Sequence, residues 1–413
     1  MPGAAVTEYE VVIVGGGPAG LASALFLTAL RPDLTDRVVV LERAKYPREK
    51  FCAGGIGARA DKLLESAGVT VDVPSVQLSS IAFRCQHGER VGREPEIGRV
   101  VRRKEFDHEL ARQVMARGVE LLEGAPLTRL WRRAGRVMLS TPRGELSARV
   151  VIGADGVGSL VRRSLGLSAT RYRAQALEVD TEPVSSDLPR DTILFDVTRR
   201  ELPGYYWDFP TLVEGRELMC RGVYLLKGAA QAGEADIQAV LAEELAARGL
   251  DLSRCRQKRY AERGFEAHVP MSAPQVLLVG EAAGIDPISG EGIAQAIQYG
   301  HTAASYLAAR LTGSVSSDDL RFEDWPRAVR GSSVGRDLRV RSLGVELFYG
   351  RWRDTIERFV LRYPDFLQVG MRHFGGKPWG RANLLRVASA SLLHTTRALA
   401  LGDDVERGLM SLG

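Results

Sequence analysis

Three glycines spaced Gly15-x-Gly17-x-x-Gly20 can hold a phosphate. They follow a short apolar, β-branched run (YEVVIV, 9–14) and open a stretch that reads as helix from Pro18 to Leu30, with Pro18 early and Ala19 among small residues suited to close packing. Gly15 permits the tight turn, Gly17 lets the backbone approach a pyrophosphate, and Gly20 lets helix and strand pack closely. The phosphate sits at the helix N-terminus, where free N–H groups and the helix dipole favour negative charge. A second strand, RVVVLE (37–42), ends on Glu42, placed to accept a hydrogen bond from a ribose 2′-OH, with Arg43 beside it. Glycine-rich turns are common. The weight here rests on strand, turn, helix and terminal carboxylate agreeing.

This first turn serves FAD and NAD alike, and two later segments favour FAD. One is Val151-Ile152-Gly153-Ala154-Asp155-Gly156, followed by Ser159 and Arg162-Arg163. The other is Gly280-Glu281-Ala282-Ala283-Gly284, then Pro287, then Gly290-Glu291-Gly292-Ile293. A strand ending in glycine and an acid (Asp155, Glu281) delivers a carboxylate to a ribityl hydroxyl. The glycine turn after it starts a helix whose N–H groups can face a pyrophosphate or the flavin O2 edge.

Two further segments could act on a substrate. Cys52 follows Arg48 and Lys50 and precedes Gly54-Gly55. A free cysteine is usually a small buried hydrophobe, but nearby cations lower a thiol's pKa. Lys50 and Arg48 are either solvated charges or cations beside an anionic reduced flavin. In YYWDFP (205–210), alternation puts Tyr205, Trp207 and Phe209 on one face and Tyr206 and Asp208 on the other. By pattern alone that row reads as sheet core rather than as the wall of an apolar cavity.

With these residues in view, the chain resembles the p-hydroxybenzoate hydroxylase-like superfamily of FAD enzymes, and within it the geranylgeranyl reductase family. The resemblance covers roughly residues 9–310: the GGGPAG turn, Lys50-Phe51-Cys52-Ala53-Gly54-Gly55, Arg103-x-x-Phe106-Asp107-x-x-Leu110, the ADG segment, the SGEGI turn and Tyr205-x-Trp207-x-Phe209-Pro210. It departs at Glu281, where the superfamily has Asp, and at Cys220-Arg221-Gly222, where the family has Gly-x-Gly. The resemblance implies that Lys50, Cys52, Ala53 and Arg103 meet the cofactor. It implies that the aromatic strand, Gly54 and Gly55 line the substrate site, and that Cys52, Tyr205 and Trp207 are the catalytic candidates.

The elements that must position these residues divide the chain. The pattern predicts an α/β fold: a discontinuous Rossmann-type FAD-binding domain (1–75, 101–170, 265–315), interrupted by a substrate domain with an antiparallel sheet (76–100, 171–264), then a helical C-terminal region (316–413). Helices are expected over 104–117, 236–248 and 292–311, and strands over 148–153, 191–197, 218–226 and 275–280. Composition is that of a globular protein, 45% hydrophobic and 26% charged. Net charge is +5, with 49 Arg against seven Lys. No basic run is interleaved with aromatics, so nucleic-acid binding is not expected. The four cysteines form no CxxC pair, and His108 and His268 lack ligand spacing, so no metal is expected. The N-terminus has no signal-peptide pattern and no apolar run spans a bilayer. A cytoplasmic protein follows, with peripheral membrane contact through the Arg-rich helices after 330 as the lesser reading.

Three functions fit. The first is reduction of carbon–carbon double bonds in an isoprenoid or other apolar substrate by hydride from reduced flavin, with an acid or water supplying the proton. The second is a class A monooxygenase or halogenase, disfavoured on the halogenase side because Trp-x-Trp-x-Ile-Pro is absent. The third is an electron-transfer flavoprotein, disfavoured because no iron–sulfur cysteine cluster exists. There is no second GxGxxG unit for a nicotinamide, so the electron donor, NAD(P)H, reduced ferredoxin or another flavoprotein, visits without a dedicated domain.

Overall fold

The valine- and isoleucine-rich runs are buried on both faces, as strands with neighbours on either side and helices above and below must be. The computed structural model describes residues 6–167, 170–228, 235–311 and 320–378. Along the chain, β1 (Thr7–Val14), α1 (Pro18–Leu30) and β2 (Val38–Glu42) come first. A long loop leads to β3 (Gly55–Gly57), α2 (Ala58–Glu65) and the hairpin β4 (Ser75–Cys85) and β5 (Gly88–Val101). Next are α3 (Arg103–Ala116), β6 (Glu120–Glu123), β7 (Arg129–Arg133), β8 (Arg136–Thr141), β9 (Gly144–Gly153) and α4 (Leu160–Ser164). They precede β10 (Arg173–Thr181), β11 (Thr192–Asp196), β12 (Gly204–Val213), β13 (Arg216–Lys227), α5 (Ile237–Ala246) and β14 (Lys258–Arg263). The chain then returns through β15 (Ser272–Ala273), β16 (Val276–Leu278) and α6 (Ile293–Arg310). It ends in α7 (Trp325–Gly331), α8 (Ser333–Tyr349), α9 (Arg353–Arg362) and α10 (Pro364–Phe374). The expected C-terminal helices beyond residue 378 lie outside the described residues.

Among the described residues two sheets form. The first has the order β15-β16-β9-β1-β2-β6, with β7 and β8 folded antiparallel onto β9. From β16 to β6 every pairing is parallel. The register Val14↔Leu41 and Val14↔Gly153 ends β1, β2 and β9 together, so the turns after them converge. Helices α1 and α6 cross at Gly300, where a Cβ would lie 2.7 Å from Ala22 Cβ. Small residues on both helices bring α6 down over the phosphate turn.

The second sheet runs β14-β10-β13-β12-β11-β4-β5-β3. The expected antiparallel sheet needs one correction: β11 pairs with β4 in parallel, Leu194 opposite Ala82. No hairpin could join these strands, because everything from β5 to β10 lies between them, and parallel pairing requires such a crossover. One face packs Leu177, Tyr206, Val223 and Leu225 against Leu241 and Leu245 of α5. The other packs Tyr205, Trp207, Phe209 and Tyr224 with Val345 and Tyr349 of α8 and Met371 of α10.

Candidate active site

Gly15 takes φ +109°, and a Cβ there would lie 2.3 Å from the Ala154 carbonyl oxygen, so the turn after β1 rests on the turn after β9. Gly20 sits against the Gly15 carbonyl, 1.9 Å from a would-be Cβ. Gly17 differs. Its backbone is extended, it caps α1 without a side-chain bond, and the first turn holds no acid. A Cβ at Gly17 would meet nothing nearer than Arg103 Nη2 and Arg48 Nη2, each 4.0 Å away. An open helix N-terminus flanked by two guanidinium groups fits a pyrophosphate. FAD fits this cradle, and Gly15, Gly17, Pro18, Ala19, Gly20, Arg48 and Arg103 are the residues that could hold its phosphates.

Both arginines are held by Asp107, fully buried one turn along α3. Arg103 makes a bidentate pair with it, Nε and Nη2 each at 2.7 Å, and Arg48 Nη2 lies at 3.1 Å. Arg48 also donates to the Gly16 carbonyl at 2.9 Å. Arg48 is thus no solvated charge, and its place beside the phosphate turn rather than the flavin edge was not foreseen from the sequence. Glu42 ends β2 as expected and accepts from the Gly16 N–H and the Ala44 N–H, each at 2.9 Å, so it also fixes the turn. Arg43 is exposed.

Asp155 does not reach outward. Its Oδ1 accepts from the Ser159 hydroxyl at 2.5 Å, and its Oδ2 accepts from the N–H groups of Leu160 and Val161 at 2.6 and 3.0 Å. The start of α4 lies close enough to take the carboxylate that a ribityl chain was expected to meet. Glu281 faces the same turn, Oε2 accepting from the Val157 N–H at 3.1 Å, while Oε1 has no hydrogen bond among the described residues. Gly280 (φ +58°) abuts Ala19, 2.8 Å from a would-be Cβ, which sets this segment against the phosphate turn.

The SGEGI turn is anchored by tyrosines. Tyr205 donates to the Ser289 carbonyl at 2.6 Å, Tyr224 to Pro287 at 3.1 Å and Tyr349 to Ile288 at 2.5 Å. Glu291 pairs with Arg59 at 2.6 Å and Arg341 at 2.7 Å. Gly290 takes φ +64°, and Gly292 caps α6 without a side-chain bond, leaving the N–H groups from Ile293 onward at an open helix start. Tyr205 is therefore a positioning residue, its hydroxyl committed to this turn.

The Cys52 loop lies between the two cores: Cys52 packs on the first and Ala53 on the second. Gly54 (φ +84°) lies against the Val101 carbonyl, and Gly55 faces Phe209, 3.2 Å from a would-be Cβ. The expectation of a lowered thiol pKa is overturned. Burial pushes the Cys52 thiol up, and Arg103 offsets this only in part. The neighbouring cations point elsewhere, Arg48 to Asp107 and Lys50 over the Tyr260 ring at 5.5 Å.

Strand register continues the aromatic face. Tyr205 stands opposite Tyr224, Tyr224 opposite Ala176, and Ala176 opposite Tyr260. Trp207 stands opposite Gly222, then Glu178, then Lys258. Residues directly opposite share a face. The face thus runs from aromatic rings on β12, over Gly222 and Ala176, to ionisable groups on β10 and β14. The indole lies across Gly222, where a Cβ would come 2.2 Å from its Cζ2, and the buried Trp207 Nε1 has no partner among the described residues. Cys220, opposite Phe209, fills the position where the resemblance expects glycine. Sequence reasoning missed Glu178, Tyr224, Tyr260 and Glu262 here; their two-residue alternation was the available signal. Elsewhere His87, Asp354 and Glu357 converge, but their carboxylates are paired with Arg200, Arg353 and Arg358.

Comparison with known proteins agrees with this geometry. Residues 8–322 match the FAD binding domain family. The chain is 29% identical over 335 residues to digeranylgeranylglycerophospholipid reductase 2 of Methanopyrus kandleri, covering 77% of this chain and 79% of that protein. It is 26% identical to menaquinone reductase of Mycobacterium tuberculosis, covering 88% and 90%. The fold is that of a geranylgeranyl bacteriochlorophyll reductase-like protein from Thermoplasma acidophilum, with TM-score 0.65, 20% identity and coverage of 98% and 99%. Solved flavin-dependent halogenases and a p-nitrophenol monooxygenase share the fold as well. The chain belongs to the FAD binding domain family and is an FAD-dependent oxidoreductase with geranylgeranyl reductase-like homologues.

Proposed function

We propose that this enzyme reduces carbon–carbon double bonds of an isoprenoid or similarly apolar substrate. When bound, reduced FAD supplies the hydride. The observation that carries the reading is the buried face formed by Tyr205, Trp207 and Phe209. It is continuous with Gly222 and Ala176, meets Gly55 at Phe209, and is tied to the SGEGI turn through the Tyr205 hydroxyl. An apolar chain entering between this face and the α8 and α10 side chains that pack on it would exclude water from the ring side of the cofactor. The relatives named for prenylated lipids, digeranylgeranylglycerophospholipid and menaquinone, support the same substrate class. The electron donor is a visiting reductant, NAD(P)H or reduced ferredoxin.

The test is product mass with these two lipids under anaerobic reduction. Gain of two hydrogens per chain double bond, scored for menaquinone after its quinol is reoxidised to quinone in air, supports the reading. Gain of an oxygen atom under air, with no hydrogenated product, moves the assignment to a monooxygenase.

Such a substrate resides in membranes, and we propose peripheral contact through α8. Val340, Leu343 and Leu347 are exposed there at 71%, 78% and 44%, spaced along one face beside exposed Arg336 and Arg339. No described helix is long and apolar enough to cross a membrane. Co-sedimentation with anionic vesicles, lost in Leu343→Glu, checks this; equal sedimentation of both proteins counts against it.

A further inference from the structure

We infer that Glu262 of β14 is the acid that donates the proton in the double-bond reduction, an inference that rests on the function proposed above. Glu262 stands opposite Ala174 and shares the substrate-side face with Tyr260 and Lys258. The residue is 9% exposed, and its Oε2 is shut off from solvent with no hydrogen-bond partner among the described residues. That oxygen points at the SGEGI turn: a Cβ on Gly290 would lie 2.7 Å from it and 3.1 Å from the Tyr224 ring. A buried carboxyl without a partner is costly to keep. Placed between the aromatic wall and the cofactor turn, it is explained by a group it meets only when substrate is present.

The charged and titratable groups around it favour the protonated form. Burial raises the Glu262 carboxyl well above the usual range. Glu281 and Asp286 from the turns on either side of Gly284, and Glu178 from β10, raise it further, while Lys50 from the Cys52 loop opposes them. Tyr205, Tyr224, Tyr260 and Cys52 also lie within its field. The other acids of the sheet face and the Cys52 loop are committed or weakened. Glu178 accepts from the Cys52 N–H at 3.2 Å and the Tyr260 hydroxyl at 3.3 Å. The Tyr205 and Tyr224 hydroxyls donate to backbone carbonyls. Burial also makes the Cys52 thiol a weaker acid.

In the step, one alkene carbon takes a hydride, two electrons with its proton, from reduced FAD. The Glu262 O–H bond breaks and its proton goes to the other carbon, so the π bond becomes two C–H bonds. The products are the saturated link, oxidised FAD and the Glu262 carboxylate. The external reductant restores the two electrons to FAD, the accompanying proton coming with them as hydride or from solvent, and solvent restores a second proton to Glu262 when product leaves.

The experiment uses dithionite-reduced holoenzyme under argon, with menaquinone or digeranylgeranylglycerophospholipid in detergent. Glu262→Gln should keep its FAD yet form hydrogenated product about 10²-fold more slowly or worse, the usual contribution of a general acid. The parent's turnover should fall as pH rises through the Glu262 pKa, because the donor must be protonated; Glu262→Asp should keep that limb and Glu262→Gln lose it. Independently of turnover, the infrared band of a protonated carboxylic acid in the parent at neutral pH should vanish in Glu262→Gln. Near-parental hydrogenation by Glu262→Gln, or an unchanged infrared band, overturns the inference while leaving the reductase reading intact. If Glu262→Gln loses FAD, the Glu262→Asp pH limb decides, and its absence overturns the inference. No hydrogenated product from the parent overturns the reductase reading itself, and the inference falls with it.

Discussion

Gly17→Val separates cofactor binding from folding in a way its neighbours cannot. At Gly15 and Gly20 an added Cβ meets protein backbone at 2.3 and 1.9 Å, so substitution there damages the fold with or without ligand. At Gly17 the backbone is extended, and the nearest atoms to an added Cβ are two flexible guanidinium ends 4.0 Å away. The apo protein should lose only what a poorer N-cap costs, about 1 kcal/mol. The volume the side chain fills is where we propose that a phosphate sits. Losing two charge-assisted hydrogen bonds at about 1.5–3 kcal/mol each removes about 3–6 kcal/mol, or about 10²–10⁴ in Kd. The assay is FAD titration by flavin fluorescence, beside thermal unfolding of both apo proteins. An apo Tm close to the parent's with binding lost is the expected pair. Parental FAD affinity in a folded Gly17→Val protein would falsify the placement of the pyrophosphate at this helix.

Three further outcomes follow from the same geometry. Glu42→Ala should weaken FAD binding more mildly than Gly17→Val, by about 1.5–3 kcal/mol from a lost ribose contact, measured by the same titration; an unchanged Kd counts against that contact. Trp207→Ala should keep FAD bound and slow double-bond reduction, while costing the about 3–5 kcal/mol typical of a buried large aromatic, read by flavin content, product mass and denaturant unfolding; unchanged turnover would show that the indole does not line the substrate site. Because burial raises the Cys52 thiol, its thiolate is scarce at neutral pH, so iodoacetamide should label it more slowly than free cysteine, with labelling rising as pH increases; labelling at the free-cysteine rate would refute this, and Cys52→Ala should alter turnover while sparing FAD content.

What could be read in advance was whatever depends on the backbone alone. A phosphate turn needs glycine at fixed offsets between a strand and a helix, and Gly15, Gly17 and Gly20 state that in six consecutive residues. The same locality made α1 legible to the residue, Pro18–Leu30. The ionisable groups were harder because their state belongs to the fold. Arg48 and Lys50 stand beside Cys52 in sequence, yet neither sets its thiol. Arg103, delivered from the start of α3, is the cation that acts on it, and burial between two cores outweighs that cation. Asp107 lay in plain view four residues after Arg103, but that it also gathers Arg48 depends on how the 43–54 loop returns over β2. Glu178 and Glu262 alternate with Ala176 and Tyr260 as strand residues should, and alternation alone gives each strand two faces without saying which one meets Trp207. That choice is made by the pairings β12–β13–β10–β14, which join residues as far apart in sequence as Arg173 and Arg263. The parallel joint of β11 with β4 is settled in the same non-local way. The cofactor end of this site is therefore written in local spacing. The acid–base end we propose exists only once the second sheet has closed, so mutational tests of the chemistry belong on β10 and β14 as much as on the aromatic strand.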